Sequence, residues 1–211
     1  VLSIYGLHRF ILLKLFYRHG RETSAIPPYN YETYPSVLVQ LPLYNEEAVA
    51  KRLITSVARL NYPREKLTIQ VLDDSTDQTR EYAKTYCVHL KKKGHNIQYL
   101  HRENRAGFKA GALAAGLERS RSEFVLILDA DFLPPRNFLT QIIHQFTDQE
   151  VGMVQARWGH LNRNHSLLTR IQSIFLDGHF VIEHTARSRS GRFFNFNGTA
   201  GIWRRKAIIQ A

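Results

Sequence analysis

Five consecutive apolar residues, Phe-Val-Leu-Ile-Leu at 124–128, run directly into Asp129-Ala130-Asp131. A strand with an apolar side chain at every position has no solvent face. It must be covered on both sides, as happens in parallel sheets with helices packed on each face. Burial on both faces also delivers the two carboxylates to a strand terminus. The flanking sequence agrees. VLVQL (37–41), LTIQVL (67–72), IQYL (97–100) and GMVQAR (152–157) read as further strands. Between them, residues 46–60, 78–93, 108–119 and 135–146 carry helical periodicity. This order predicts an α/β fold with a mostly parallel sheet. Ligands of such sheets bind beyond the carboxyl ends of the strands.

The chain has 211 residues, 44% of them apolar, enough for one α/β domain with a core. Its formal charge is +11, which points to a polyanionic partner: nucleic acid, anionic lipid or a phosphorylated substrate. Nucleic acid is disfavoured, because the acids collect at strand ends, where a phosphate backbone is repelled. The lone cysteine, Cys87, forbids an internal disulfide and reads as a small buried hydrophobe. Residues 1–20 mix large apolar side chains with His8, Arg9, Lys14, Arg18 and His19. Such a segment is too polar to span a bilayer but suits an amphipathic helix in the membrane interface. The proline-containing residues 21–35 read as a linker, and 36–211 as the domain proper. The chain reads as a piece of a longer protein, starting without Met and stopping within an apparent helix, WRRKAIIQA.

Asp129 and Asp131 have the spacing to chelate a hard divalent cation; as the alternative, they cap the helix after Pro134-Pro135. Asp73-Asp74-Ser75 ends the second predicted strand, where a carboxylate can bind a ribose hydroxyl or a base N–H. It can equally cap a helix. In Leu41-Pro42-Leu43-Tyr44-Asn45-Glu46-Glu47, the Tyr44 ring can stack on a nucleobase beside polar Glu46. Asn104-Arg105-Ala106-Gly107-Phe108-Lys109 offers glycine for close approach and Lys109 as a point charge for phosphate. Phe196-Asn197-Gly198-Thr199 has the ring, amide and hydroxyl of a sugar site. Gln155-Ala156-Arg157-Trp158 either lines the same cleft or forms a structural corner.

Taken in order, LPLYNEE, VLDDSTDQT, NRAGFKAGAL, LDADF, VQARW and FFNFNGTAGIWR resemble inverting glycosyltransferase family 2. They look most like the cellulose-synthase-like A and C types that make mannan and β-glucan backbones. The resemblance covers about residues 36–209. It implies a GT-A fold and Mg²⁺ or Mn²⁺ held by Asp129 and Asp131. Tyr44, Glu46, Asp73, Asp74, Lys109 and Asp129 would serve the nucleotide. Gln155, Arg157, Trp158, Phe196, Asn197, Gly198 and Thr199 would face the acceptor glycan. The implied partners are a nucleotide-sugar, either UDP-glucose or GDP-mannose, a growing β-linked glycan, and membrane lipid. The implied setting is the cytoplasmic side of a cell membrane, in a multi-pass full-length protein. The family's catalytic base follows the GTAG segment and is expected beyond Ala211, so neither Asp177 nor Glu183 is assigned that role. The family's Q-x-x-R-W motif is absent, and Gln155-Ala156-Arg157-Trp158 is not an instance of it. A single-addition transferase on a lipid acceptor, or a nucleotide-binding module without turnover, is the alternative.

Overall fold

The computed structural model describes residues 2–20 and 33–211. It contains two compact units. One runs over Pro27–Gln155 and Asn197–Ala211, the other over Val1–Ile26 and Ala156–Phe196, each in its described parts. Most of the expected linker, residues 21–32, lies outside the described residues.

The larger unit is a sheet covered by helices. Its strands are β1 (Val37–Leu43), β2 (Leu67–Asp73), β3 (Ile97–His101), β4 (Phe124–Ile127), β5 (Met153–Gln155) and β6 (Gly201–Arg204). Their order is β3-β2-β1-β4-β6-β5. The first four are parallel, while β6 runs antiparallel to both β4 and β5. The sheet is therefore α/β and mixed. The direction of strand addition reverses at β1, which has β2 on one side and β4 on the other. That reversal opens a crevice at the carboxyl ends of β1 and β4.

The buried strands carry the expected apolar runs. Val37, Leu38, Val39 and Leu41 of β1 and Phe124, Val125 and Leu126 of β4 are essentially solvent-free. Helix α2 (Glu47–Ala58) buries Ala50, Leu53, Ile54 and Val57, the face set by its helical spacing. Helix α3 (Thr79–Lys92) buries Ala83, Cys87 and Leu90. Burial, and then the charge of Asp73, push the Cys87 thiol up to about 12, so it behaves as a hydrophobe.

Helix α4 (Phe108–Glu118) is held differently, over a row of buried amides. Gln40 donates to the Gln70 side chain (3.2 Å) and to the carbonyl of Leu113 (3.0 Å). Gln70 in turn donates to Gln98 (3.1 Å) and to the carbonyl of Gly116 (3.0 Å). The helix comes this close because residue 116 has no side chain.

Three expectations need correction. The stretch 135–146 is a short helix α5 (Phe138–Ile142) that tightens into a 3-10 turn at Ile143–Thr147. Residues 203–204 are strand, not helix; α8 begins only at Arg205 and runs to Gln210. Within 152–157, only Met153–Gln155 pairs as a strand.

The smaller unit is helical. Helix α1 (Leu2–His19) packs against a π-helical turn (Gly178–His184) and α7 (Thr185–Arg189), which continue α6 (Leu167–Asp177) in one helical run. Arg9 pairs with Glu183 at 2.9 Å, and Leu12 is buried. Ser166 and Thr169 form a reciprocal cap at the start of α6. Two sets of large apolar side chains stay exposed. They are Leu7, Phe10 and Tyr17 on α1, and Leu167, Leu168, Ile171, Ile174 and Phe175 on α6. The α6 set recurs at helical spacing, so that helix turns its apolar face to solvent.

Candidate functional site

A cleft of about 410 Å³ lies at the carboxyl ends of the central strands. Tyr44 and Glu46 reach it from the end of β1, Asp74 from the end of β2, and Asp129, Ala130 and Asp131 from the end of β4. Lys109 enters from the first turn of α4, and Arg105 from the loop before it. Six of the residues proposed for the nucleotide and metal thus line one space, although 87 positions separate Tyr44 from Asp131.

The loops that carry them are tied together. Asn45 takes a left-handed conformation (φ 55°), and its N–H donates to Ser75 Oγ at 2.9 Å. The N–H of Thr76 donates to Asn45 Oδ1 at 3.0 Å. Arg102 grips Asp74 through two nitrogens, at 2.9 and 2.6 Å, and donates to the carbonyls of Ala106 and Phe108. One guanidinium therefore joins the β2 end to the turn before α4. Gly107 makes that turn possible with φ 68°. Hydrogen bonding to Asp74 raises Arg102 above its ordinary value.

The adjacent acid behaves otherwise. Asp73 is fully buried and does not line the cleft. It accepts hydrogen bonds from the Tyr99 hydroxyl (2.6 Å) and the Ser75 N–H (3.0 Å). Burial first, and then Asp73, push the Tyr99 hydroxyl well above its usual range. Asp73 thus fixes the loop on which Asp74 is presented.

The capping alternatives are not realised. Helix α3 is capped at Gln78 and α5 at Asn137, in each case without a side-chain cap bond. Asp129 is instead ion-paired with Lys109, whose ammonium also donates to the carbonyl of Gly198 at 2.9 Å. The N–H of Asp129 donates to the buried hydroxyl of Thr199 at 2.8 Å. Gln155 secures the same loop. Its amide donates to the carbonyls of Thr199 and Ala200, and its oxygen accepts from the Asn197 N–H. Four residues expected at the acceptor, Gln155, Asn197, Gly198 and Thr199, therefore buttress the Asp129 end of β4. The other three, Arg157, Trp158 and Phe196, belong to the helical unit. There Arg157 lies 3.4 Å from Asp177, and the Trp158 ring packs 5.1 Å from Phe180.

Asp129 and Asp131 suit a divalent cation of the kind that takes one or two carboxylates and completes its shell with phosphate and water. Among the described residues, no three or more His, Cys, Asp or Glu side chains gather around a common point. A cation here would therefore depend on its ligand for the remaining contacts, and Lys109 would have to leave Asp129.

Sequence reasoning missed Arg105. Its guanidinium lies 3.3 Å from the centroid of the Tyr44 ring, and its buried Nε has no hydrogen-bond partner among the described residues. Its place beside glycine and lysine at a predicted helix start was the available signal, but nothing local pairs it with Tyr44.

The model of glycosyl transferase family 2 matches residues 38–209. The chain belongs to that family. Among curated relatives, it is 43% identical to glucomannan 4-beta-mannosyltransferase 2 of Arabidopsis thaliana, over 95% of this chain and 40% of the relative. It is 45% identical to glucomannan 4-beta-mannosyltransferase 1 of Cyamopsis tetragonoloba, over 84% of this chain and 35% of the relative. The chain thus spans about two-fifths of the length of these relatives or less. Among solved structures, it resembles the mannosyltransferase PcManGT from Pyrobaculum calidifontis, solved in complex with GDP-Man and Mn²⁺. That match has a TM-score of 0.70 and 21% identity, covering 99% of this chain and 56% of the other. The fold of this family 2 domain is thereby that of the GT-A glycosyltransferases.

Proposed function

We propose that this family 2 domain binds GDP-mannose and forms the donor half of a β-mannan or glucomannan synthase. The observation that carries the reading is the gathering of Tyr44, Glu46, Asp74, Lys109, Asp129 and Asp131 in one cleft at the strand reversal. The choice of mannose over glucose rests on the relatives, which are mannosyltransferases by name.

The base would stack on Tyr44, on the ring face that Arg105 leaves open. Asp74, fixed by Arg102, would accept a ribose hydroxyl or base N–H. Lys109 would turn from Asp129 to the diphosphate. Asp129 and Asp131 would hold Mg²⁺ or Mn²⁺, which would stabilise the charge on the leaving diphosphate. An acceptor hydroxyl attacks the anomeric carbon on the face opposite the diphosphate, forming the new C–O bond as the old one breaks. The sugar's configuration inverts from α to β. The attacking hydroxyl loses its proton to a base, a role assigned to no residue of this chain. Gln155, by holding the 197–200 loop, keeps the acceptor side of β4 in register.

The helical unit would rest on anionic lipid. Supporting this are the outward apolar residues of α1 and α6 and the charge of residues 156–196, where Arg157, Arg163, Arg170, Arg187, Arg189 and Arg192 face only Asp177 and Glu183. Flotation with phosphatidylserine vesicles should be lost on Ile171→Asp/Phe175→Asp; retention would remove α6 from the membrane contact.

Calorimetric titration with GDP and UDP, each with and without Mn²⁺, tests the donor site. Mn²⁺-dependent binding of GDP is expected, with at least tenfold weakening by Asp131→Asn. Preference for UDP would move the donor to a uridine sugar, and metal-independent binding would remove Asp129 and Asp131 from the site.

A further inference from the structure

A second and larger cleft, about 580 Å³, opens at the other end of the sheet. Leu67 and Ile69 at the start of β2 and His95 and Asn96 just before β3 form one wall. The chain leaving α2 (residues 58–62) forms another, and Arg136-Asn137 a third. No carboxylate lines it, whereas the donor cleft contains Glu46, Asp74, Asp129 and Asp131.

Three arginines, Arg59, Arg64 and Arg136, line this space, and all three are exposed. None is within ion-pair distance of an acid among the described residues. Arg64 donates to the carbonyl of Lys93, at 3.2 Å. Salt-bridged arginines elsewhere in the chain, such as Arg102, show that the fold does pair guanidiniums with acids. Three like charges around one concavity with no acid in its lining give it a positive potential that favours an anion. The walls are firm. The N–H of Asn61 donates to the carbonyl of Arg136 at 2.7 Å, and Tyr62, buried, donates through its hydroxyl to the carbonyl of Pro35 at 2.8 Å. Asn96 is held by Thr68 at 2.8 Å. Burial, then Arg64 and Lys93, keep His95 below its ordinary value, so near neutrality it is an uncharged ring able to donate one hydrogen bond.

We propose that this cleft is a second ligand site, for a small phosphorylated anion held by Arg59, Arg64 and Arg136 without a metal ion. Guanidiniums match phosphate oxygens in paired hydrogen bonds. The volume is within the range of small-molecule sites. Binding at this site depends on arginine, so it does not share the donor cleft's need for a divalent cation. It stands independently of the donor-site reading.

Calorimetry in excess EDTA, with orthophosphate, pyrophosphate and GDP as separate probes, tests the proposal. Saturable binding of pyrophosphate is expected. Arg64→Ala and Arg136→Ala should each weaken it at least fivefold, Arg136→Lys should weaken it less than Arg136→Ala, and Asp131→Asn should leave it unchanged. Orthophosphate binding as tightly as pyrophosphate would assign the site to a single phosphate group, and tighter GDP would assign it to a nucleotide. Absence of saturable binding by any probe in a folded chain, binding indifferent to both alanine variants, or binding lost with Asp131→Asn would overturn it.

Discussion

Replacing Gly116 with alanine separates two physical arguments by sign. Helix propensity alone favours alanine over glycine inside a helix by about 1 kcal/mol. The surroundings of residue 116 predict the reverse. A Cβ there would lie 2.7 Å from Gln40 Nε2, 2.7 Å from Gln70 Oε1 and 2.8 Å from Leu72 Cδ2. The two amides are the ends of flexible side chains, but they are not free to retreat. Gln40 is pinned to Gln70 and Leu113, and Gln70 to Gln98 and to the carbonyl of Gly116 itself. Overpacking of a filled interior costs about 1–3 kcal/mol. Losing one amide hydrogen bond costs about 1 kcal/mol, roughly cancelling the propensity gain. A net destabilisation of about 1–3 kcal/mol follows, or about 2–4 °C of melting temperature per kcal/mol for a chain of this size. Urea denaturation of the chain measures it. The exposed Ala114→Gly, on the same helix, is the calibration and should cost about 1 kcal/mol. An alanine variant at 116 as stable as the parent or more so would refute the close packing of α4 on the glutamine row.

Two further outcomes follow from single side chains. Lys109→Met removes the cation that occupies Asp129 in the unliganded cleft. Binding of Mn²⁺ alone, followed by electron paramagnetic resonance, should strengthen by about two- to fivefold, the worth of a partly exposed ion pair, while GDP binding at saturating Mn²⁺ weakens; unchanged Mn²⁺ affinity would show that Lys109 does not compete for the carboxylate. In the helical unit, burial first, and then His179, hold His184 below its ordinary 6.5, with Arg187 acting in the same direction and Glu183 against it. The unfolded chain therefore takes up this proton more readily than the folded one. Nothing is lost above pH 6.5, and stability falls as the pH drops below it. Amide exchange across residues 167–189 should speed up as the pH falls from about 6.5 to 5.5 after correction for intrinsic rates, and His184→Gln should flatten that change. Burial raises Glu183, but Arg9, Arg187 and His179 outweigh it and hold the group below its ordinary 4.5. Its contribution is thus present above that value and is lost only at lower pH.

The parallel core was legible because its signals are local. The apolar run at 124–128 and the alternation of strands with helices both act within a few residues. What escaped depends on distant partners. Strand β6 has only Gly201–Arg204, and it becomes a strand by pairing with β4 and β5 after the chain has passed through the helical unit. Nothing in a tetrapeptide followed by RKAIIQA announces this, so its last two residues were read into the helix. The shortening of the helix expected at 135–146 is likewise contextual. Burial of Leu139, Ile143, His144 and Phe146 rewards a 3-10 turn over a continued α-helix.

The site was legible as a set of strand ends, but less so as a set of contacts. Neighbouring residues on an extended segment point to opposite sides, so Asp73 and Asp74 were never able to share one ligand in the same way. Residue Asp73 continues the fully buried pattern of β2 and turns inward to Tyr99 and Ser75. Asp74 turns to the cleft, where Arg102 pre-orients it. The period-two rule held that distinction in advance, whereas the Arg105–Tyr44 stack, 61 positions apart in the chain, had no such rule. The inward acid supports the outward one: by anchoring the Ser75 N–H, Asp73 fixes the backbone whose Ser75 hydroxyl receives Asn45, and so couples the β2 end to the turn that presents Tyr44 and Glu46.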